Sequence, residues 1–291
     1  MITPSDADIL SIVKKLPYPT LTQLLRFFGY SHNSRKYFGS RLKKMVAAKL
    51  LHTESLPRDT AFGNLPLVYT LGTGGIAYFR QKGLNVQYLS PKERKRGKSS
   101  YDHPIEVNDV IVAARQLQYQ VPEIELAEFL HDGVLQRHPV NVTLPDAKGS
   151  GGKVVPDGFL KFHLSPPFAD PDHPVLAAVF EVDRDTEDVY DFKSKIRKYF
   201  PFADGPYQQE FGTESLHILW IATRGGSRRL HQMRRWTLEE LTKQEKLEHA
   251  DVFRFLSVPL ANACIVPRGF FLSPCWFTLQ DDTPVPLIEA L

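Results

Sequence analysis

Three carboxylates near the middle of the chain have the types and spacing of a cation site. The run Val175-Leu176-Ala177-Ala178-Val179-Phe180 is apolar without a break, as in a buried central strand, and ends in Glu181-Val182-Asp183. Alternation along a strand sends Glu181 and Asp183 to the same side of the sheet. Pro156-Asp157-Gly158 interrupts a neighbouring strand pattern, which brings Asp157 toward that pair. Asp157, Glu181 and Asp183 would then offer three hard oxygen ligands to Mg2+ or Mn2+, an ion able to orient a water and to stabilise charge building on a phosphodiester. Such a site also needs a cation beside the nucleophile. Lys195, twelve residues beyond Asp183, is the expected donor, with Lys193 as the alternative and Glu106 as an outer carboxylate. The competing reading is structural, with Glu181 and Asp183 paired to Arg184, Lys195 or Arg197.

The elements that must position these residues alternate between helix and strand from Tyr101 onward, an α/β pattern. The expected order is a helix over 104–118, strands over 123–129, 153–164 and 175–183, a helix over 187–200, a strand over 216–223 and a helix from Gly226 into the 240s. The apolar stretches Val252–Val258 and Phe270–Leu279 read as further strands.

The first hundred residues differ in pattern and in charge. They hold 17 of the 36 Lys/Arg and only 5 of the 33 Asp/Glu, a balance of +12, whereas the remainder carries −9. A surplus of this size in so short a segment points to phosphate. Three short helices come first, over 5–15, 20–28 and 34–48. Thr20 and Gln23 have capping-box spacing, Gly29 suits a left-handed C-cap, and Pro17 and Pro19 separate the first two helices. The third helix places Phe38, Leu42, Met45 and Val46 on one face and Lys36, Ser40, Lys43, Lys44 and Ala47 on the other, flanked by Arg35 and Arg41. A helix buried on one side and cationic on the other suits docking in the major groove of double-stranded DNA. Two strand patterns, 50–54 and 66–71, follow around a polar stretch that contains Arg58, and a helix over 73–82 closes the segment. Helix-turn-helix plus a two-stranded wing is a winged helix, over 1–88; the DNA-binding set is Arg35, Lys36, Ser40, Arg41, Lys43, Lys44 and Arg58. The rival use of such a module is protein pairing. The run Pro91–Ser100 (PKERKRGKSS) reads as the core of a basic linker over 89–100, either a DNA-binding arm or a plain tether.

Other motifs carry less chemistry. His103, three residues before Glu106, reads as a hydrogen-bonding partner, not a metal ligand. Lys148-Gly-Ser-Gly-Gly-Lys153 lacks the spacing of a phosphate-binding loop and reads as a hairpin loop. Gly225-Gly226-Ser227-Arg228-Arg229, with Arg234 and Arg235, either grips a phosphate or forms an exposed helix. Two cysteines, Cys264 and Cys275, provide neither a disulfide framework nor a metal set, so a reducing, cytoplasmic setting is expected. No secretory leader pattern and no run of eighteen apolar residues occurs, so no membrane association is expected. A homodimer is compatible with a winged helix, although no heptad marks an interface.

Several of these segments together resemble a known family. Pro156-Asp157-Gly158, the run Glu181 to Glu187 (EVDRDTE), Lys195 to Tyr199 (KIRKY) and His103 to Asp109 (HPIEVND), following the first-hundred pattern, are similar to the replication-relaxation family of plasmid and mobile-element proteins. Val68 to Gly72, Gly75 and the segment Leu216 to Arg229 extend the likeness. The second domain, 101–291, resembles the PD-(D/E)XK restriction-endonuclease-like fold, an α/β domain around a central mixed sheet. That likeness implies that Asp157 and Glu181 hold the metal. The resemblance to the replication-relaxation family implies a role in plasmid replication or DNA relaxation, with mobile-element or replication proteins as partners. The chain departs from the nuclease pattern two residues after Glu181, where Asp183 stands in place of a lysine. Either Lys195 reaches in from the helix as a substitute, making the protein a metal-dependent DNA endonuclease or nickase, or the domain has lost cleavage and serves as a regulator or adaptor.

Overall fold

Thr3 and Thr20 each close a reciprocal capping box, with Asp6 and Gln23 respectively, and so set the starts of the first two helices. The computed structural model describes residues 2–55, 67–84, 86, 99–144, 151–169, 174–258 and 265–290. By packing, the chain divides into two compact units, Met1–Val112 and Ala113–Leu291.

The first unit begins with α1 (Pro4–Lys15), α2 (Leu21–Phe27) and α3 (Arg35–Ala47). An antiparallel hairpin of β1 (Leu51–Ser55) and β2 (Leu67–Leu71) follows, and α4 (Thr73–Gln81) comes next. Ile9, Leu10 and Val13 of α1, Leu24 and Leu25 of α2, and Phe38, Leu42 and Met45 of α3 form its core, together with Leu51, Tyr69, Ile76 and Phe79. The apolar spacing of each short helix is therefore satisfied by its neighbours; helices this short gain most of their stability from such packing.

A long helix, α5 (Ser99–Gln120), contains the division between the units. Its first turns bind the first unit by polar contacts that span many residues of sequence. Gln23 Nε2 donates to the Ile105 carbonyl at 2.8 Å and to Asp109 Oδ1 at 2.9 Å, while Asn108 Nδ2 donates to the Pro17 carbonyl at 2.7 Å. Tyr101 donates from its hydroxyl to Glu54 on β1. Burial of Asp109 pushes its carboxyl up to about 6, against the lowering effect of Gln23 and Arg26.

In the second unit the main sheet has the order β3-β6-β7-β8-β9, formed by β3 (Ile124–His131), β6 (Gly158–Leu164), β7 (Val175–Asp183), β8 (His217–Ala222) and β9 (Phe253–Ser257). β6 is antiparallel to both of its neighbours, β3 and β7, whereas β7, β8 and β9 are parallel, so the sheet is mixed. Parallel neighbours need crossover helices. These are α7 (Val189–Ala203), followed by the short α8 (Pro206–Phe211), and α9 (Gly226–Lys243). Phe192, Ile196 and Tyr199 of α7 and Met233 and Trp236 of α9 pack on Ala177, Val179 and Trp220, and this layer is the main core. A short α6 (Asp132–Leu135) and a separate hairpin of β4 (Val140–Thr143) and β5 (Gly151–Val154) complete that side.

Two strand expectations are corrected. The stretch expected as one strand over 153–164 is split: β5 pairs with β4, and β6 begins only at Gly158 and joins the main sheet. Pro156, which has no N–H to donate, lies at the break. Gly158 is required on the β6 side, because a Cβ there would lie 2.2 Å from Cζ of Phe180 on β7. The expected strand Phe270–Leu279 is instead α10 (Pro267–Phe271) followed by isolated bridges at Trp276 and Phe277. Its apolar residues are buried by packing, with Phe270 and Trp276 edge to face at 5.0 Å. A short apolar run cannot distinguish these outcomes.

Candidate functional site

The carboxyl ends of parallel strands are where open α/β sheets gather ligands, and β7 delivers its acids there. Ala177 and Val179 face α7 and α9, so by alternation Glu181 and Asp183 do as well. The two acids nevertheless meet different partners.

Glu181 is 4% exposed and sits in a knot of charge. Its Oε1 accepts the Tyr199 hydroxyl at 2.6 Å and its Oε2 accepts Lys195 Nζ at 3.3 Å. Lys195 also forms an ion pair with Glu187, in the loop before α7. Asp157 Oδ2 accepts the Val182 N–H at 2.7 Å, just beyond the last β6–β7 register pair, Gly158 with Phe180. Burial, first of all, and then the charges of Asp157 and Glu187 push Glu181 up to about 7 in spite of Lys195 and Tyr199. Burial opposes the charge on Lys195, but Glu181, Glu187 and Asp157 outweigh it and hold the ammonium above its ordinary value. Burial and the Glu181 charge likewise raise the Tyr199 phenol, which stays protonated and keeps donating.

Asp183 takes a different partner from the expected metal. Arg229, 2% exposed, donates to it from Nε at 2.8 Å and from Nη2 at 2.6 Å, and again from Nη2 to the Glu187 carbonyl at 3.0 Å. The guanidinium lies 5.1 Å from the Trp236 ring centre. A forked donor matched to a planar carboxylate satisfies both oxygens, and Oδ1 additionally accepts the Asp185 N–H. Among the described residues no group of three or more His, Cys, Asp or Glu is placed to hold a metal ion. Asp157 and Glu181 remain together, and two carboxylates are a donor set that fits Mg2+, which commonly takes one or two of them and fills its shell with water and substrate phosphate.

The remaining expected residues separate. Lys193 pairs with Glu239 at 2.7 Å, and Arg197 pairs with the buried Glu240 at 2.6 Å. Glu106 belongs to the first unit, where its charge acts on Asp109, and His103 lies on the same helix. Tyr199 and Arg229 were not foreseen as site residues. Tyr199 stands four residues after Lys195, on the same helix face, which is a readable signal; Arg229 is 46 residues from its partner and has none.

On α3 the exposed residues are Arg35, Lys36, Tyr37, Ser40, Lys43, Lys44 and Ala47, and Tyr37 is 71% exposed. The two flanking arginines are engaged in the fold. Arg41 Nε donates to Asp6 at 3.0 Å and its Nη2 donates to Thr3 at 2.7 Å, which clamps α3 to the capping box of α1. Arg35 donates to Thr22 at 2.8 Å. Arg58, the basic linker through Lys98, the first half of the glycine-rich loop and Cys264 lie outside the described residues. No helix among the described residues is long and apolar enough to cross a membrane.

No curated protein and no solved structure matches the chain. A family model described as replication-relaxation matches residues 10–215 and stops short of the likeness read over 216–229. The matched span takes in the lysine face of α3 as well as Asp157, Glu181, Lys195 and Tyr199, and the chain belongs to the replication-relaxation family.

Proposed function

We propose that this chain is a double-stranded-DNA-binding protein of plasmid or mobile-element replication or DNA relaxation, acting in the cytoplasm. Its first unit works as a winged helix with α3 in the major groove. The observation that carries the reading is the exposed face of α3, where Lys36, Lys43 and Lys44 stand beside Tyr37 and Ser40 while Phe38, Leu42 and Met45 on the opposite face are buried. No Asp or Glu occurs between Asp8 and Glu54, so no acid from that stretch opposes a phosphate backbone. Of the cationic residues expected to touch DNA, Arg41 serves the fold, Arg35 stays exposed while it donates to Thr22, Arg58 lies outside the described residues, and the three lysines carry the contact. Replacing Lys36, Lys43 and Lys44 together by Ala should lower affinity for duplex DNA uniformly across sequences and reduce the slope of log K against log salt by about 3. Unchanged binding and slope would remove α3 from the interface.

The second part of the proposal is metal-dependent phosphodiester cleavage at Asp157, Glu181 and Lys195. Asp157 and Glu181 would hold Mg2+ or Mn2+, and the ion would supply Lewis-acid stabilisation of charge on the scissile phosphate. Tyr199 fixes one oxygen of Glu181, and Lys195 brings an ammonium to the other, doing from the helix what the motif lysine does from the strand. A non-enzymatic regulator or adaptor is the second reading, favoured by the capture of Asp183 by Arg229 at the position where that lysine is missing. Supercoiled plasmid with Mg2+ or Mn2+ separates the two: nicking by the wild type that is lost in Asp157→Ala/Glu181→Ala supports the enzyme. Equal and negligible nicking by both leaves the adaptor, with replication proteins or a second copy as its partners.

A further inference from the structure

Helix α9 carries Arg228, Arg229, Arg234 and Arg235, with Arg224 just before it, and the structure divides these five by task. Arg229 neutralises Asp183. Arg234 ties down the C-terminal segment, donating to the Thr278 and Asp281 carbonyls at 2.8 Å and to Asp282 at 2.7 Å. The other three face outward. Arg228, His231 and Arg235 are exposed and recur every three or four residues, which places them in one stripe along the helix, and Arg224, also exposed, lies just before its start. The stripe contains no acid. Arg228 and Arg235 are 60% and 65% exposed; Arg228 meets the half-buried Asp185, and Arg235 meets the exposed Glu239. An exposed pair such as Arg235–Glu239 contributes little to stability.

Topology brings the stripe to the candidate site. Strands β7 and β8 are parallel, with Asp183 in register with Ala222, so Arg224 lies just past the carboxyl edge at which Glu181 and Asp157 meet. Gly225, at φ +75°, makes the turn, and a side chain there would press on Asp185 and Arg229 at 2.8 Å. From that edge the stripe runs away along the helix. Arg228 to Arg235 covers about 10 Å of axis at 1.5 Å per residue, roughly three nucleotides of one strand.

We infer that Arg224, Arg228, His231 and Arg235 form a second nucleic-acid contact, a track for the sugar–phosphate backbone of duplex DNA that leads to the Asp157–Glu181–Lys195 edge. This rests on the proposed DNA-binding reading but not on α3, and the stripe lies beyond the residues that the family model matches. Arg229 and Arg234 are occupied in the fold, so the inference depends on Arg224, Arg228, His231 and Arg235.

The test uses the full chain and a fluorescent duplex of about 30 base pairs, titrated between roughly 50 and 300 mM NaCl. Arg224→Gln/Arg228→Gln/Arg235→Gln should bind about ten-fold or more weakly at 100 mM salt, with a slope reduced by about 2 to 3, whereas the matching Arg→Lys variant should recover most of both. Arg235→Glu alone, remote from the Asp183–Arg229 pair, should also weaken binding and guards against a folding defect in the triple variant. Wild-type affinity and slope in the glutamine and Arg235→Glu variants, alongside impaired binding in the α3 lysine variant, would overturn the inference and leave the DNA-binding reading standing. Impaired binding in the α9 variants with an unaffected α3 variant would support the inference and remove α3 from the interface. A wild-type chain that ignores the duplex at low salt would overturn both.

Discussion

Removing Arg229 should unfold the second unit far more readily than its place on a surface helix would lead one to expect. The Asp183 side chain is 1% exposed and that of Arg229 2%, so Arg229→Met leaves a carboxylate in the interior without its counter-charge. Two charge-assisted hydrogen bonds, at 2.8 and 2.6 Å, are lost at once, together with the link to the Glu187 carbonyl and the stacking against Trp236. Breaking a buried pair from one side typically costs about 3–5 kcal/mol. In a unit of this size that corresponds to a fall in Tm of roughly 6–20 °C. Asp183→Asn should cost a similar amount, because it strands the guanidinium. The double variant Asp183→Leu/Arg229→Met removes both charges and should be less destabilised than either single one. Tryptophan fluorescence during urea or thermal unfolding is the suitable assay, since Trp220, Trp236 and Trp276 all belong to the second unit and all are buried. A cost below about 1 kcal/mol for Arg229→Met, or a double variant as unstable as the sum of the singles, would refute the ion-pair account of Asp183 and return it to the pool of metal ligands.

Three further outcomes follow from the same geometry. Glu181 stands at about 7 in the fold against 4.5 for the free side chain, so its contribution to stability is complete below about 4.5 and is lost as pH rises through about 7. At 1.36 kcal/mol per pH unit this is about 3 kcal/mol, and Glu181→Gln, which can still accept from Tyr199, should flatten the stability–pH curve over that window; an unaltered curve would contradict the burial argument. Arg41→Ala should lower the stability of the first unit by about 1 kcal/mol through loss of the Asp6 and Thr3 contacts, whereas Lys44→Ala should weaken DNA binding and leave stability unchanged; the reverse pattern in paired melting and binding measurements would exchange their roles. Gly158→Ala drives a methyl group into the Phe180 ring and should cost about 1–3 kcal/mol by urea denaturation, with partial rescue by Phe180→Leu; a neutral outcome would mean that the two strands separate with ease.

Most of the element order was legible because it rests on local chemistry. Thr20 with Gln23, the apolar spacing of Phe38, Leu42 and Met45, and the run from Val175 to Phe180 each read correctly from neighbours a few residues away. The short apolar stretch near the C-terminus did not, since burial of Phe270 and Trp276 by packing leaves the same trace in sequence as burial in a strand.

The candidate site divides along the same line. Sequence alone determined that Glu181 and Asp183 leave one strand on one side, that Lys195 follows on the next helix, and that the lysines of α3 stand opposite its apolar face, because strand and helix periods fix side-chain direction without reference to the rest of the chain. Only the tertiary structure decided which acids stay together. The parallel β7–β8 pairing brings the start of α9 to the carboxyl edge of β7, where Arg229 reaches Asp183 and withdraws it from Asp157 and Glu181. It also decided that Arg41 clamps α1 in place of facing outward. Both outcomes are choices between ionic partners far apart in sequence, settled by distance and burial, which no periodicity encodes.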